Sequence, residues 1–159
     1  MGRPRVAVSE EFRMSLFFED FNIGQEWTTR SRTITEADVV QFAGLTGDYT
    51  YLHVDAVKAA ASPFGQRIAH GAMIFSYSVG LMTQLNVTEG TVLAFYGLDK
   101  LRFVKPTFLG DTITAHKRVV ALEARGEGRG VVTYETTVTK QTGEVVLAYT
   151  DKVLVRARS

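Results

Sequence analysis

From Gly71 to Thr88 the chain carries no Asp, Glu, Lys or Arg, and that stretch narrows the folds open to it. A helix with no charged side has nothing to offer water and is expected to be wrapped by other elements. Ser76, Ser78, Gly80, Thr83, Gln84 and Asn86 interrupt the stretch, which argues for a core helix and against a membrane span. After it the periodicity changes. Thr91–Phe103, Thr112–Glu123, Val131–Thr139 and Val145–Val155 are rich in Val, Thr, Leu and aromatic residues and read as strands. Gly110-Asp111, the glycine-bearing segment Arg125–Gly130 and Thr142-Gly143 supply the turns. An antiparallel sheet wrapped around one long central helix is the economical α+β solution for that order.

Upstream the signals are shorter. Residues 1–15 mix polar and charged side chains without periodicity and are expected to be a flexible lead-in rather than a signal peptide; the domain runs from 16 to 159. Phe17–Phe21 reads as a short strand or turn, and Glu26–Thr33, with Trp27 and repeated Thr, as a strand. Thr35-Glu36-Ala37-Asp38 is a helix start, with Thr35 as cap, Asp38 three residues on and acidic groups in the first turn. That helix ends near Gly44 and Gly47 and delivers Asp48 at its exit. A second helical piece, His53–Ala61, is closed by Ser62-Pro63-Phe64-Gly65.

Composition excludes several function classes. A net charge of +1 in 159 residues, without a basic cluster, gives nucleic acid or an anionic membrane nothing to hold. The absence of cysteine removes disulfide and thiolate chemistry and fits a reducing, cytoplasmic setting.

Two of the three histidines fall just before the uncharged stretch, at His53 and His70. Asp48 lies five residues before His53 across a turn, a spacing that lets carboxylate and imidazole converge for general acid/base work. Gly71 opens the long helix, so its unpaired N–H points at whatever precedes it. Other candidates have blander readings. His116 is expected at the surface or a subunit contact. Gly126, Gly128 and Gly130 lie between two strands, as in a hairpin and not as in a phosphate loop. His53, Asp55 and His70 have metal-ligand side chains, but their spacing matches no ligand motif. Lys100, Arg102 and Lys105 are ordinary strand-end cations that could meet phosphates.

Several motifs in order resemble the MaoC-like dehydratase family, which includes the R-specific enoyl-CoA hydratases. They are Phe18-Glu19-Asp20-Phe21 with Gly24-Gln25, Thr33–Asp38, Gly47-Asp48, Leu52-His53-Val54-Asp55, Phe64-Gly65 with Ile68-Ala69-His70-Gly71, and Arg102–Pro106 leading to Gly110-Asp111-Thr112. The resemblance implies a single hotdog domain that interconverts a 2-enoyl-CoA and an (R)-3-hydroxyacyl-CoA. It implies catalytic roles for Asp48 and His53, and a Gly71 N–H that faces the thioester oxygen. Neither metal nor redox cofactor is implied, and the only small-molecule partner is the acyl-CoA. Where the family has Asn-Pro before Leu-His, this chain has Thr50-Tyr51, which alters a hydrogen bond and a rigid φ at the mouth of the site. Thr50, Tyr51, His70 and Ser76 are the candidates for substrate contact, and His70 is expected to brace the helix entrance rather than to do chemistry. A hotdog thioesterase and a non-catalytic acyl-CoA-binding or regulatory module are the alternatives. Long strands over an uncharged helix lead us to expect at least a homodimer, with the pocket near the subunit interface.

Overall fold

The computed structural model describes residues 15–158; the expected lead-in, apart from Ser15, lies outside them. Phe18–Asp20 form one 3-10 turn rather than a strand. The Glu26–Thr33 segment is two short strands, β1 (Glu26–Thr28) and β2 (Arg32–Thr33). Three short helices follow, α1 (Glu36–Thr46), α2 (Tyr51–Val54) and α3 (Ala56–Ala60), and then the long α4 (Gly71–Thr83). The chain continues with β3 (Val92–Phe103), β4 (Thr112–Gly126), β5 (Arg129–Lys140) and β6 (Val145–Arg156). All pairings between these strands are antiparallel, in the order β1-β4-β5-β6-β3, with β2 also on β4. This is the hotdog arrangement, with α4 lying in the curve of the sheet.

Local chemistry explains the helix ends. Thr35 Oγ1 accepts from the Asp38 N–H while the Asp38 carboxylate accepts from the Thr35 N–H, a reciprocal capping box. Asp38 is nearly buried and also accepts from Arg32 and the Tyr77 hydroxyl, which ties α1 to β2 and α4. Burial alone would raise its pKa, but hydrogen bonds from Thr35, Tyr77 and Arg32 outweigh that and hold it below the usual range. At the other end of α1, Gly47 takes φ 77° and closes onto the Ala43 carbonyl, a left-handed cap that glycine adopts without strain. The expected 53–61 helix is broken at Asp55, whose carboxylate accepts from Val57 and Lys58 and starts α3 afresh.

The core is in two parts. One joins Met73, Ile74 and Leu81 of α4 to Ile113, Ala115, Val138, Leu147 and Tyr149 of the sheet. The other joins Phe21 to Val119, Val132, Tyr134, Val153 and Val155. The expectation that α4 is enclosed on every side is corrected, because Ala72, Ser76, Gly80 and Thr83 form an exposed stripe. Ser76 and Thr83 turn their hydroxyls back onto the helix carbonyls of Ala72 and Val79, so a side without charge is still satisfied in water.

Candidate active site

Three elements converge on the N-terminus of α4. The Gly47 cap sets the direction of Asp48, and α2 turns His53 back toward it. The loop before α4 is held on two sides, since Ile68 N–H donates to the Leu52 carbonyl at 3.0 Å and Ala69 N–H to the Thr107 carbonyl at 2.7 Å. The result is a His53 Nε2 to Asp48 Oδ2 separation of 3.9 Å.

Hydrogen bonds orient the two groups. His53 Nδ1 lies 2.8 Å from the Ile68 carbonyl. A carbonyl only accepts, so Nδ1 carries a hydrogen and the ring turns Nε2 toward Asp48, where the neutral tautomer has its acceptor. Thr50 donates to Asp48 Oδ1 through both its hydroxyl, at 2.6 Å, and its N–H, at 3.2 Å. The Thr50 hydroxyl first, and then its N–H, hold the Asp48 carboxyl below the usual carboxylate range. Thr50 thus supplies a side-chain bond to Asp48 at the position where the family has Asn, and Tyr51 takes the first helical position of α2, where proline's fixed φ is otherwise favoured.

His70 is 2% exposed and stacks beneath His53 with ring centroids 3.7 Å apart. Its Nε2–H donates to the Asp48 carbonyl at 3.0 Å, which leaves a bare Nδ1 buried without a partner. Burial, foremost, drives its pKa down and keeps the ring neutral. Its contacts brace the Asp48 turn from behind and do not reach the open side. Asp48, His53 and His70 do bring possible ligand atoms within 4.8 Å of one another, with Asp48 in place of the Asp55 considered from sequence. Stacked rings keep their lone pairs in two separate, nearly parallel planes, with ring centroids 3.7 Å apart, a poor start for one shared tetrahedral centre.

Met73 and Ile74 donate the first helical bonds to the His70 carbonyl, so the Gly71 N–H lies ahead of them at the positive end of α4. A Cβ on Gly71 would stand 2.7 Å from the Phe103 ring, and this close approach explains the glycine. Tyr51 is 44% exposed near the mouth. Ser76 lies on the outer stripe of α4 and is not brought to the site. His116 stands between β1 and β5, within 3.1 Å of Thr28 Oγ1 and of Thr139 Oγ1, far in the fold from α2. Lys105 pairs with Glu144 at 2.6 Å, and Gly126–Arg129 is the turn between β4 and β5.

Residues 20–142 match the MaoC-like domain family. The chain belongs to that family. A relative from Mycobacterium tuberculosis, 3-hydroxyacyl-thioester dehydratase Z, is 41% identical over 118 residues, covering 73% of this chain and 76% of that protein. The (R)-specific enoyl-CoA hydratase of Rhodospirillum rubrum is 36% identical over 146 residues, covering 89% and 93%. Protein MaoC of Klebsiella aerogenes is 44% identical over 97 residues, but the match spans 28% of that longer protein. Among solved structures, a monoamine oxidase regulatory protein from Archaeoglobus fulgius superposes with a TM-score of 0.87 at 37% identity, covering 91% of this chain and 97% of that one.

Sequence reading of the MaoC-like chain missed one pair. Lys117 of β4 and Asp151 of β6 occupy core-facing positions, with Nζ to Oδ2 at 2.7 Å. The signal was present, because Ile113, Ala115, Lys117 and Val119 share one face of a strand, and a charge in such a row is rare.

Proposed function

We propose that this MaoC-like chain adds water to a 2-enoyl thioester, and removes it from an (R)-3-hydroxyacyl thioester, with coenzyme A as carrier. The supporting observation is the facing pair, Asp48 Oδ2 and His53 Nε2, 3.9 Å apart, with His53 stacked on the ring of His70, which immediately precedes Gly71; in the neutral tautomer both atoms are acceptors. That gap is too long for a direct hydrogen bond, yet one water can lie about 2.8 Å from both. Asp48, kept ionised by Thr50, holds the water; His53 Nε2 takes its proton as the oxygen bonds to C3. The electron pair of the C=C moves toward C2, charge grows on the thioester oxygen, and the Gly71 N–H with the α4 dipole stabilises it. The proton on Nε2 then passes to C2, which completes the addition of H and OH.

The test uses short 2-enoyl-CoA substrates, with ultraviolet absorbance for the conjugated C=C and a thiol reagent for free coenzyme A. Hydration predicts loss of absorbance, an intact thioester and an (R)-3-hydroxy product. Thiol release in step with substrate loss would instead indicate a thioesterase, and no change together with saturable binding a regulatory module.

Assembly follows from β3. It is an edge strand of twelve residues, and Val92, Leu93, Phe95, Tyr96 and Phe103 along it, with Val104 just beyond, are all exposed in the single chain. A long apolar edge is an aggregation hazard unless it is covered. A second copy presenting the same edge about a two-fold axis covers both at once. Phe103 touches Gly71, so that interface would border the active site. Light scattering at micromolar concentration is expected to give a dimer or larger species; a monomeric mass would refute it.

A further inference from the structure

A cavity of about 210 Å³ lies beneath the C-terminal half of α4, walled by Val79, Met82, Val92 and Val153 and reaching Lys117 and Asp151. It shares no lining residue with the Asp48–His53 cluster. Both lie on one side of α4, because Gly71, Phe75, Val79 and Met82 recur at the spacing of a single helix face. Gly71 meets Phe103 of β3, and Phe75 meets Phe95 of β3 and Tyr149 of β6. From Gly71 to Val79 the helix rises roughly 12 Å at 1.5 Å per residue, the reach of a medium-length acyl chain.

The polar end of this cavity is unusual. Lys117 and Asp151 lie between the two parts of the core, with Asp151 1% exposed and the Lys117 side chain 15% exposed. Thr136 donates to Asp151 Oδ1 at 2.8 Å, while Oδ2 has the ion contact with Lys117 but no partner in hydrogen-bond geometry. The Lys117 ammonium also lies 4.0 Å from the Tyr134 ring centroid. An ammonium has three N–H donors, and neither this ring nor the Asp151 contact uses all of them. The pair is close to neutral overall, and it combines an acceptor, Oδ2, that the 2.7 Å contact with Lys117 does not saturate with spare ammonium donors.

We propose that this cavity receives the far end of the acyl chain and that Lys117 and Asp151 select a tail bearing a hydroxyl group. This rests on the reading above that the thioester lies at Gly71. A hydroxyl accepts from Lys117 and donates to Asp151 Oδ2, and so completes both groups. A plain alkyl end presses hydrocarbon against an incompletely bonded ion pair. A carboxylate end meets Lys117 but puts a second negative charge beside the buried Asp151, which is disfavoured.

Binding, read by calorimetry, tests this without requiring turnover. The probes are decanoyl-CoA, 10-hydroxydecanoyl-CoA and the mono-CoA thioester of decanedioic acid. The hydroxylated probe is expected to bind about tenfold tighter than decanoyl-CoA, the gain of one hydrogen bond to a charged group, and the diacid probe weaker than either. In Lys117→Met/Asp151→Asn, which keeps an acceptor for Thr136 and leaves no ion unpaired, the preference should fall to about twofold or less. Decanoyl-CoA binding as tightly as the hydroxylated probe, no binding of any probe, or a preference unchanged in the double variant would each overturn the proposal. The wild-type comparison decides even if the variant fails to fold. Tail preference without loss of enoyl absorbance on the matching 2-enoyl-CoA would sink the hydratase reading alone; hydration without tail preference would sink this one alone.

Discussion

Asp48→Asn and His53→Ala are each expected to lower kcat for the proposed enoyl hydration by about 10²–10⁴-fold, the usual contribution of a positioned acid or base, while melting temperature and oligomeric state stay near wild type. Asp48 is an exposed turn residue whose side chain makes its hydrogen bonds only with neighbouring Thr50, so the amide fits without repacking. His53 loses the bond to the Ile68 carbonyl, but that loop stays pinned through Leu52 and Thr107. The double variant should be little worse than either single, because a water held by one group alone is no longer both placed and deprotonated. His116→Ala, on the other side of β4, is the control and should retain full activity. Steady-state kinetics with circular dichroism on the four variants make the check. Near wild-type turnover in both singles would return Asp48 and His53 to a turn and a structural ring.

The largest stability effect is expected at Lys117→Met. That change leaves the Asp151 carboxylate 1% exposed with Thr136 as its hydrogen-bond donor, and breaking one side of a buried pair costs about 3–5 kcal/mol. For a chain of this length, that corresponds to a fall in Tm of roughly 6–20 °C. Lys117→Met/Asp151→Asn should recover most of it, because no ion is then stranded and Asn keeps an oxygen for the Thr136 hydroxyl. Scanning calorimetry on the two variants separates the cases. A single variant melting within about 2 °C of wild type would mean that water reaches Asp151 freely and that the cavity end is wet.

The two expectations draw on different levels of information. Asp48, His53 and Gly71 were legible because local signals place them: a helix start at Thr35, a glycine stop at Gly47, and the uncharged helix opened by Gly71. What the local pattern hid was the state of each group. That His53 presents Nε2 follows from the Ile68 carbonyl, fifteen residues away. That His70 sits behind the pair and Ser76 on the outer stripe depends on which side of α4 meets the sheet, and a helix without charge gives no amphipathic cue to that rotation. Lys117 and Asp151 were overlooked for a related reason. Each sits in a strand that mixes charged and apolar residues, and only the fold shows that the two meet.

The sequence by itself determined most of the elements and the ends marked by a cap or a glycine turn, because those signals act over a few residues; it did not show the break at Asp55 or the split of 26–33 into two strands. It also determined the family, through motifs whose order along the chain is preserved. Only the tertiary structure decided that β3 crosses to the far edge and pairs with β6, which leaves an apolar edge open and lays Phe103 on Gly71. It also decided that two ions distant in sequence meet at the end of a cavity. Strand order and burial of charge are set by long-range packing, where a whole sheet must close over one helix, and no window of neighbouring residues contains that constraint.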